Sequence, residues 1–537
     1  MQTFSRRSFL YGTGAAFAAL SAPGVLRAAA AFAALSAPGV LRAAAADVTH
    51  TPVEVSTPLG HLRGLEADGI RVFRGVPFGE DPYVAERRFL APLKAKPWTG
   101  VLDATKPGAI PLQPDRKTPS MIGGGNALVL NLWAPKEAKN APVLVWIPGG
   151  GSTRCDNNDP RFDGTAFAKD GIVLVTINYR VNVDGFLKLE DGDADNGLRD
   201  MILGLEWVRD NIAAFGGDPK CVTVFGQSAG ATHITSLLAS PKTKGLFRRA
   251  ILQSPSAIAQ WTNEEEARTA TKRLADFFGV APTREGFMNL TNEKLFTFGK
   301  FVGSLASDPE WLAFSHGNSA LFKPYVDGEV LKARPVDALL AGAAAGVEVI
   351  VGCTREEWRN YTVPSGAIDK IGPEATERLV RAMGWDAKLL DRYRAAGHGS
   401  TPGEIFTRIQ GDLIFRMPAN RALENLSKAG NRVWAYSFDW KSPVLGKSGK
   451  ARGAAHSNDV AFVFHTLGSK PALALNGPDA PTALADAMHG AWVRFAKTGN
   501  PGWAPFDTNR RMTRLFDATV KDVSDPWAFE REWIRLP

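Results

Sequence analysis

Cysteine is scarce in this chain of 537 residues: there are three, Cys155, Cys221 and Cys353. They are too few and too scattered for a disulfide framework or a zinc site, so three free thiols are expected, with Cys221 buried at a strand start. Long apolar runs are missing as well. No internal segment offers the roughly 20 uninterrupted apolar residues that span a membrane, so stable insertion of the mature chain is not expected. A strong charge of one sign is also absent. The formal net charge is +8, but residues 1–46 hold four arginines and no acid, which leaves +4 on the rest. Those basic residues are scattered, which argues against a nucleic-acid partner. No Pro/Ser-rich linker divides residues 47–537, and 45 % apolar with 22 % charged residues is ordinary for a globular chain. Residues 47–537 therefore read as one large domain with excursions.

What is present begins with a leader. In "SRRSFL" the adjacent Arg6 and Arg7 precede a weakly apolar stretch, the pattern of a twin-arginine export signal. The segment "AFAALSAPGVLRAAA" occurs at 16–30 and again, unchanged, at 31–45. A perfect tandem copy of so short a period is a duplication within a tolerant leader, not a solenoid. Ala44-Ala45-Ala46 before Asp47 supplies a small-residue cleavage site, with a rival at the end of the first copy. A periplasmic or secreted protein, carried by the twin-arginine machinery, is expected.

Beyond the leader, nearly continuous Val/Ile/Leu runs at 143–147, 172–177, 222–225, 250–253, 347–351 and 433–438 suit strands covered on both faces. Between the second and third, Leu198, Met201, Ile202, Leu205, Val208 and Ile212 fall at helical spacing, and Gly216-Gly217 stops the helix. Strand, helix, strand at this spacing predicts right-handed crossovers and an α/β fold with a large, mostly parallel sheet. The segments 57–64 and 71–78 read as an N-terminal antiparallel pair, and 261–320 and 366–430 as helical elaborations. "MIGGGN" (121–126) is a glycine loop without the Lys-Ser/Thr of a phosphate-binding motif.

The chemistry centres on "VTVFGQSAGA" (222–231), where a buried strand meets small residues around Ser228. Gly226 and Gly230 permit a strained turn and close helix–strand packing, so the hydroxyl stands out at the end of the sheet. Ala229, opening the following helix, offers its backbone N–H to a reacting carbonyl oxygen. An alcohol nucleophile needs a base, and the base an orienting acid. Of the downstream histidines, His398 reads as a loop residue, His465 as core or its margin, and His489 as part of an amphipathic helix. His456 alone leaves the C-terminal end of a core strand, where catalytic loops gather. Glu356 and Glu357 leave another such end, and local sequence barely separates them. The triple glycine 149–151, directly after the strand at 143–147, suits further oxyanion donors.

With these pieces in order, the chain resembles the type-B carboxylesterase/lipase family, which includes bacterial carboxylesterases, cholinesterases and fungal lipases. The resemblance rests on "FRGVPFGEDP", "NYRVNVDGF", "DNGLRDMILGLEWVRDNIAAFGGDPKCVTVFGQSAGA", "KPYVDGEVL" and "WVRFAKTGNPGW". It implies an α/β-hydrolase fold and a serine esterase that cleaves a small-molecule ester without a cofactor or metal. It further implies Ser228 as nucleophile, Glu357 as acid, His456 as base, and Gly150, Gly151 and Ala229 as oxyanion donors, with Ser254 bonded to the acid. Four departures stand out. Pro148 lacks an N–H where the family has His or an aromatic. Ser152 replaces an aromatic, which widens or polarises the pocket. Trp358 replaces a glycine after the acid. Gly125-Asn126-Ala127-Leu128 replaces an acidic, cysteine-bearing segment, which leaves Arg180 without its family carboxylate. Two other readings stand beside this one: an amide or carbamate hydrolase with the same triad, and a triadless binding or adhesion relative on the same fold, which need not keep the set Ser228, Glu357 and His456.

Overall fold

The computed structural model describes residues 50–534, apart from 257–261, 306–307, 309–320, 383–384 and 387. The leader, 1–46, lies outside the described residues. The main sheet contains β1 (Thr51–Thr57), β2 (Gly60–Ala67), β3 (Ile70–Pro77), β4 (Val129–Pro135), β5 (Ala141–Ile147) and β6 (Val173–Ile177). It continues with β7 (Gly217–Gln227), β8 (Arg249–Gln253), β9 (Glu348–Thr354), β10 (Val433–Phe438), β11 (Met512–Phe516) and β12 (Lys521–Ser524). Their spatial order is β1-β2-β3-β4-β6-β5-β7-β8-β9-β10-β11-β12, and Val101–Asp103 adds a short strand beside β2. Every pairing from β6 to β11 is parallel. β1 to β4 pair antiparallel at one end, as the 57–64 and 71–78 pair predicts, and β12 does so at the other.

Period-2 alternation splits the apolar runs between two cores. Val143, Val145 and Ile147 of β5 face one side, with Val224, Leu252, Val349 and Val351. Leu144 and Trp146 face the other, with Phe225, Ile251, Ile350 and Trp434. Helices α1 (Asn196–Asn211) and α2 (Ala229–Ala239) cover the first face through Leu198, Met201, Leu205, Ile234 and Leu237. Helix α3 (Thr482–Thr498) covers the second through Met488, Trp492 and Phe495. Each such side chain, wholly withdrawn from water, stabilises the fold by about 1.5–3 kcal/mol before entropy is counted. The helical turns after α1 end at Gly216, whose φ of 85° is left-handed; a Cβ there would lie 2.2 Å from the Ala138 carbonyl oxygen.

Chain order and spatial order diverge at β5. β6 lies on one side of it and β7 on the other, so the crossovers run to opposite sides and a crevice opens at the C-terminal ends of these strands. Cys221 is half-buried inside β7, not buried at its start, because the strand begins at Gly217, ahead of the apolar run at 222–225. All three thiols are free. Among the described residues, no helix is long and apolar enough to cross a membrane.

Candidate active site

Four loops leave the C-terminal ends of parallel strands and converge. β7 ends at Gln227, and Ser228 caps α2 with φ 59° and ψ −127°, a conformation that costs a non-glycine residue about 1–3 kcal/mol. The flanking glycines have a steric reason. A Cβ on Gly230 would sit 2.0 Å from the Ile147 carbonyl oxygen, and one on Gly226 would sit 2.7 Å from the same atom. Helix α2 can therefore begin against the end of β5 only where side chains are missing. Positive φ also marks Ser152, Ser254 and Ser457. Each lies in a loop at this crevice, so backbone strain gathers around the hydroxyl of Ser228.

The loop after β9 brings Glu357 inward and leaves Glu356 at its edge. Glu357 is 0 % exposed. Its Oε2 lies 2.5 Å from His456 Nδ1, and its Oε1 accepts bonds from Ser254 Oγ at 2.6 Å and the Thr354 N–H at 2.7 Å. Glu356 instead accepts from the Ala454 N–H at 2.9 Å and anchors the loop that carries His456. The carbonyl of Arg355 accepts from the guanidinium groups of Arg408 and Arg416, and Arg408 pairs with Glu530 at 2.6 Å. Glu357 thus stands on a loop fixed by buried charge pairs from the helical insertion and the C-terminal helix.

The imidazole of His456 packs against Phe415 (4.4 Å between centroids) and Tyr361 (5.8 Å). Its Nε2 faces the Gln227 side-chain nitrogen at 3.0 Å, and Ser457 Oγ donates to Gln227 Oε1 at 3.0 Å, which fixes that amide's orientation. No hydrogen bond joins Ser228 Oγ to the ring in this arrangement; such contacts often tighten only when substrate binds. Gln227 was invisible to pattern reading. Its signal was its place beside the serine on a strand end, where a long polar side chain must find partners.

The loop after β5 turns sharply. Gly150 and Gly151 have φ of 147° and 64°. A Cβ on Gly149 would meet the Gln227 carbonyl oxygen at 2.4 Å and Ser228 Cβ at 3.1 Å, so this loop lies directly on the serine's turn. Among the described residues, the N–H groups of Gly150, Gly151 and Ala229 are bonded to no acceptor. Pro148 keeps a role without an N–H: its carbonyl accepts from Tyr179 Oη at 2.7 Å. Ser152 does not polarise the crevice. It is buried, and its Oγ lies 3.2 Å from His233 Nε2 on α2, tying the loop to the helix. Trp358 is buried and packs on Tyr361 at 4.6 Å. Arg180 has a carboxylate after all: Asp200 of α1 accepts from it at 2.8 and 2.7 Å.

Ser152 and His233 form a buried serine–histidine contact without an acid. His233 Nδ1 is buried with no bonded partner, and burial pulls the imidazole down to about 3. The other downstream histidines lie elsewhere. His489 pairs with Asp170 at 3.1 Å, and His465 is exposed and pairs with Asp486 at 2.7 Å. His398 packs on Tyr393 and Phe529.

Comparison with known proteins agrees with this architecture. A family model described as "Carboxylesterase family" matches residues 51–522. Para-nitrobenzyl esterase of Bacillus subtilis (strain 168) is 33 % identical over 501 residues, covering 89 % of this chain and 97 % of that esterase. Phenmedipham hydrolase of Pseudarthrobacter oxydans is 34 % identical over 459 residues, 83 % of this chain and 90 % of that one. Among solved structures, the Geobacillus stearothermophilus carboxylesterase EST55 at pH 6.2 superposes with a TM-score of 0.77 at 35 % identity, covering 90 % of this chain and 100 % of that one.

Proposed function

The chain belongs to the carboxylesterase family, and on that premise we propose that Ser228, His456 and Glu357 are the nucleophile, base and orienting acid of its reaction. The protein is an α/β hydrolase that cleaves carboxylic esters as a serine hydrolase. Its first step transfers the Ser228 proton to His456 Nε2 as the oxygen attacks the ester carbonyl. Glu357 holds the Nδ1 proton and stabilises the imidazolium. The N–H groups of Gly150, Gly151 and Ala229 receive the oxyanion, each worth roughly 3 kcal/mol of barrier. The alcohol leaves with the proton from His456, and water attacks the acyl-enzyme through the same base.

One observation carries the assignment: a wholly buried carboxylate bonded at 2.5 Å to the inner nitrogen of an imidazole at the crevice where Ser228 stands on its strained turn. A fluorophosphonate probe tests it. Mass spectrometry of the labelled, digested protein is expected to place the single adduct on the peptide containing Ser228. An adduct on Ser152, or none in a protein that turns over esters, would remove the assignment.

We also propose that residues 1–46 direct twin-arginine export, giving a periplasmic or secreted enzyme. The pair Arg6-Arg7 ahead of a weakly apolar stretch supports this. In fractionated cells the wild type is expected outside the cytoplasm with its N-terminus near Asp47, and the Arg6→Lys/Arg7→Lys form inside. Equal distribution of the two forms would refute the route.

A further inference from the structure

Arg154 closes the turn that carries the oxyanion donors. Its N–H donates to the Gly150 carbonyl at 3.1 Å. Its carbonyl and Cβ press on Gly150: a methyl placed there would lie 2.2 Å from that oxygen and 3.1 Å from that Cβ. The side chain thus starts within one arginine length of the free N–H groups. It is half-buried, yet among the described residues its guanidinium has no hydrogen bond and no ion pair. Three buried guanidinium groups are matched by carboxylates: Arg180 by Asp200, Arg249 by Glu348 and Arg408 by Glu530.

A like charge, Arg116, bears on it. Arg116 stands on the hairpin formed by Gln113–Pro114 and Met121–Ile122, and its side chain is exposed and, among the described residues, makes no ion pair. That hairpin is pinned to the oxyanion loop, because the Cys155 N–H donates to Gln113 Oε1 at 2.8 Å. Asp115, the acid that bears on Arg154, accepts instead from the Thr118 hydroxyl and N–H at 2.6 and 3.1 Å and makes no ion pair with Arg154. Burial, reinforced by Arg116, pulls Arg154 down to about 10, so it stays cationic at neutral pH. A half-buried guanidinium that no carboxylate contacts directly gains from an anionic ligand that can.

We propose that Arg154, backed by Arg116, is an anion-binding subsite beside the oxyanion loop, and that the preferred substrates are esters carrying a carboxylate close to the scissile carbonyl. The inference rests on the ester-hydrolase reading and deepens it. Guanidinium suits this task because its planar fork binds a carboxylate by two hydrogen bonds.

Matched ester pairs test the subsite. 4-Nitrophenyl hemiglutarate against 4-nitrophenyl pentanoate places the charge on the acyl side; 3-acetoxybenzoate against phenyl acetate places it on the alcohol side. In the wild type, kcat/KM is expected to favour the charged member of one pair, and the advantage to shrink as salt rises. Arg154→Met is expected to lower the charged-to-neutral ratio by about tenfold or more. The ratio does not depend on the active fraction, so partial misfolding leaves it readable. If Arg154→Met fails to fold, the wild-type preference and its salt dependence decide alone. A wild type that prefers the neutral member of both pairs, or a ratio unmoved by Arg154→Met, overturns the subsite while leaving ester hydrolysis intact. Inactivity on all four esters would instead strike the hydrolase reading.

Discussion

Ser228→Ala is expected to lower kcat for ester hydrolysis by about 10⁶-fold, to the residual level left by binding and oxyanion donors. The fold should survive. Ser228 contributes backbone bonds that alanine keeps: its N–H donates to the Gln253 carbonyl at 2.9 Å, and its carbonyl accepts from the Thr232 N–H at 2.9 Å. Among the described residues the Ser228 hydroxyl makes no hydrogen bond that the substitution would remove. The left-handed φ is as unfavourable for alanine as for serine, so that strain cancels between the two proteins. Circular dichroism and melting temperature should therefore stay close to wild type while burst-phase acylation disappears. A variant that retains more than about a tenth of wild-type kcat would mean that another group attacks the ester. Ser152, a buried serine in contact with His233, is then the residue to replace next.

Much of this architecture was legible before any coordinates. The runs at 143–147, 250–253 and 433–438 reappear as strands ending at Ile147, Gln253 and Phe438, because strands covered on both faces are nearly continuous in apolar residues. The G-x-S-x-G spacing was legible because sterics impose it: two carbonyl-facing positions tolerate no Cβ. Choosing Glu357 over Glu356 took a family resemblance. The two neighbours have the same chemistry and differ only in which side of the loop meets His456, something the insertion and the C-terminal Glu530 help to fix. Ser152 misled for a related reason. Local sequence shows a hydroxyl in place of bulk but not that it turns toward His233, 81 residues away in the chain. Arg180 and Asp200 likewise meet through the packing of α1, which a comparison of one segment could not supply.

Glu357→Gln should cost about 10⁴-fold in kcat with little change in bulk, and the reason lies in who donates around the carboxylate. Its Oε1 accepts from Ser254 Oγ and the Thr354 N–H, so that position must remain an oxygen. The new amide nitrogen then occupies the Oε2 position, 2.5 Å from His456 Nδ1 in the native protein. There it donates, which turns Nδ1 into an acceptor and moves the ring proton to Nε2, the nitrogen that has to receive the Ser228 proton. The reverse orientation would point the amide N–H groups at the Thr354 N–H, two buried donors face to face, at a cost of about 1–3 kcal/mol. Both orientations damage the reaction, the first through the tautomer and the second through packing. Ser254→Ala separates them. It frees Oε1 of one donor, and in the double variant the amide gains room to turn, so activity should recover part of the loss. Steady-state kcat for the single and double variants, with melting temperatures alongside, reads this directly. A Glu357→Gln enzyme within tenfold of wild type would mean that the buried carboxylate does not orient the base.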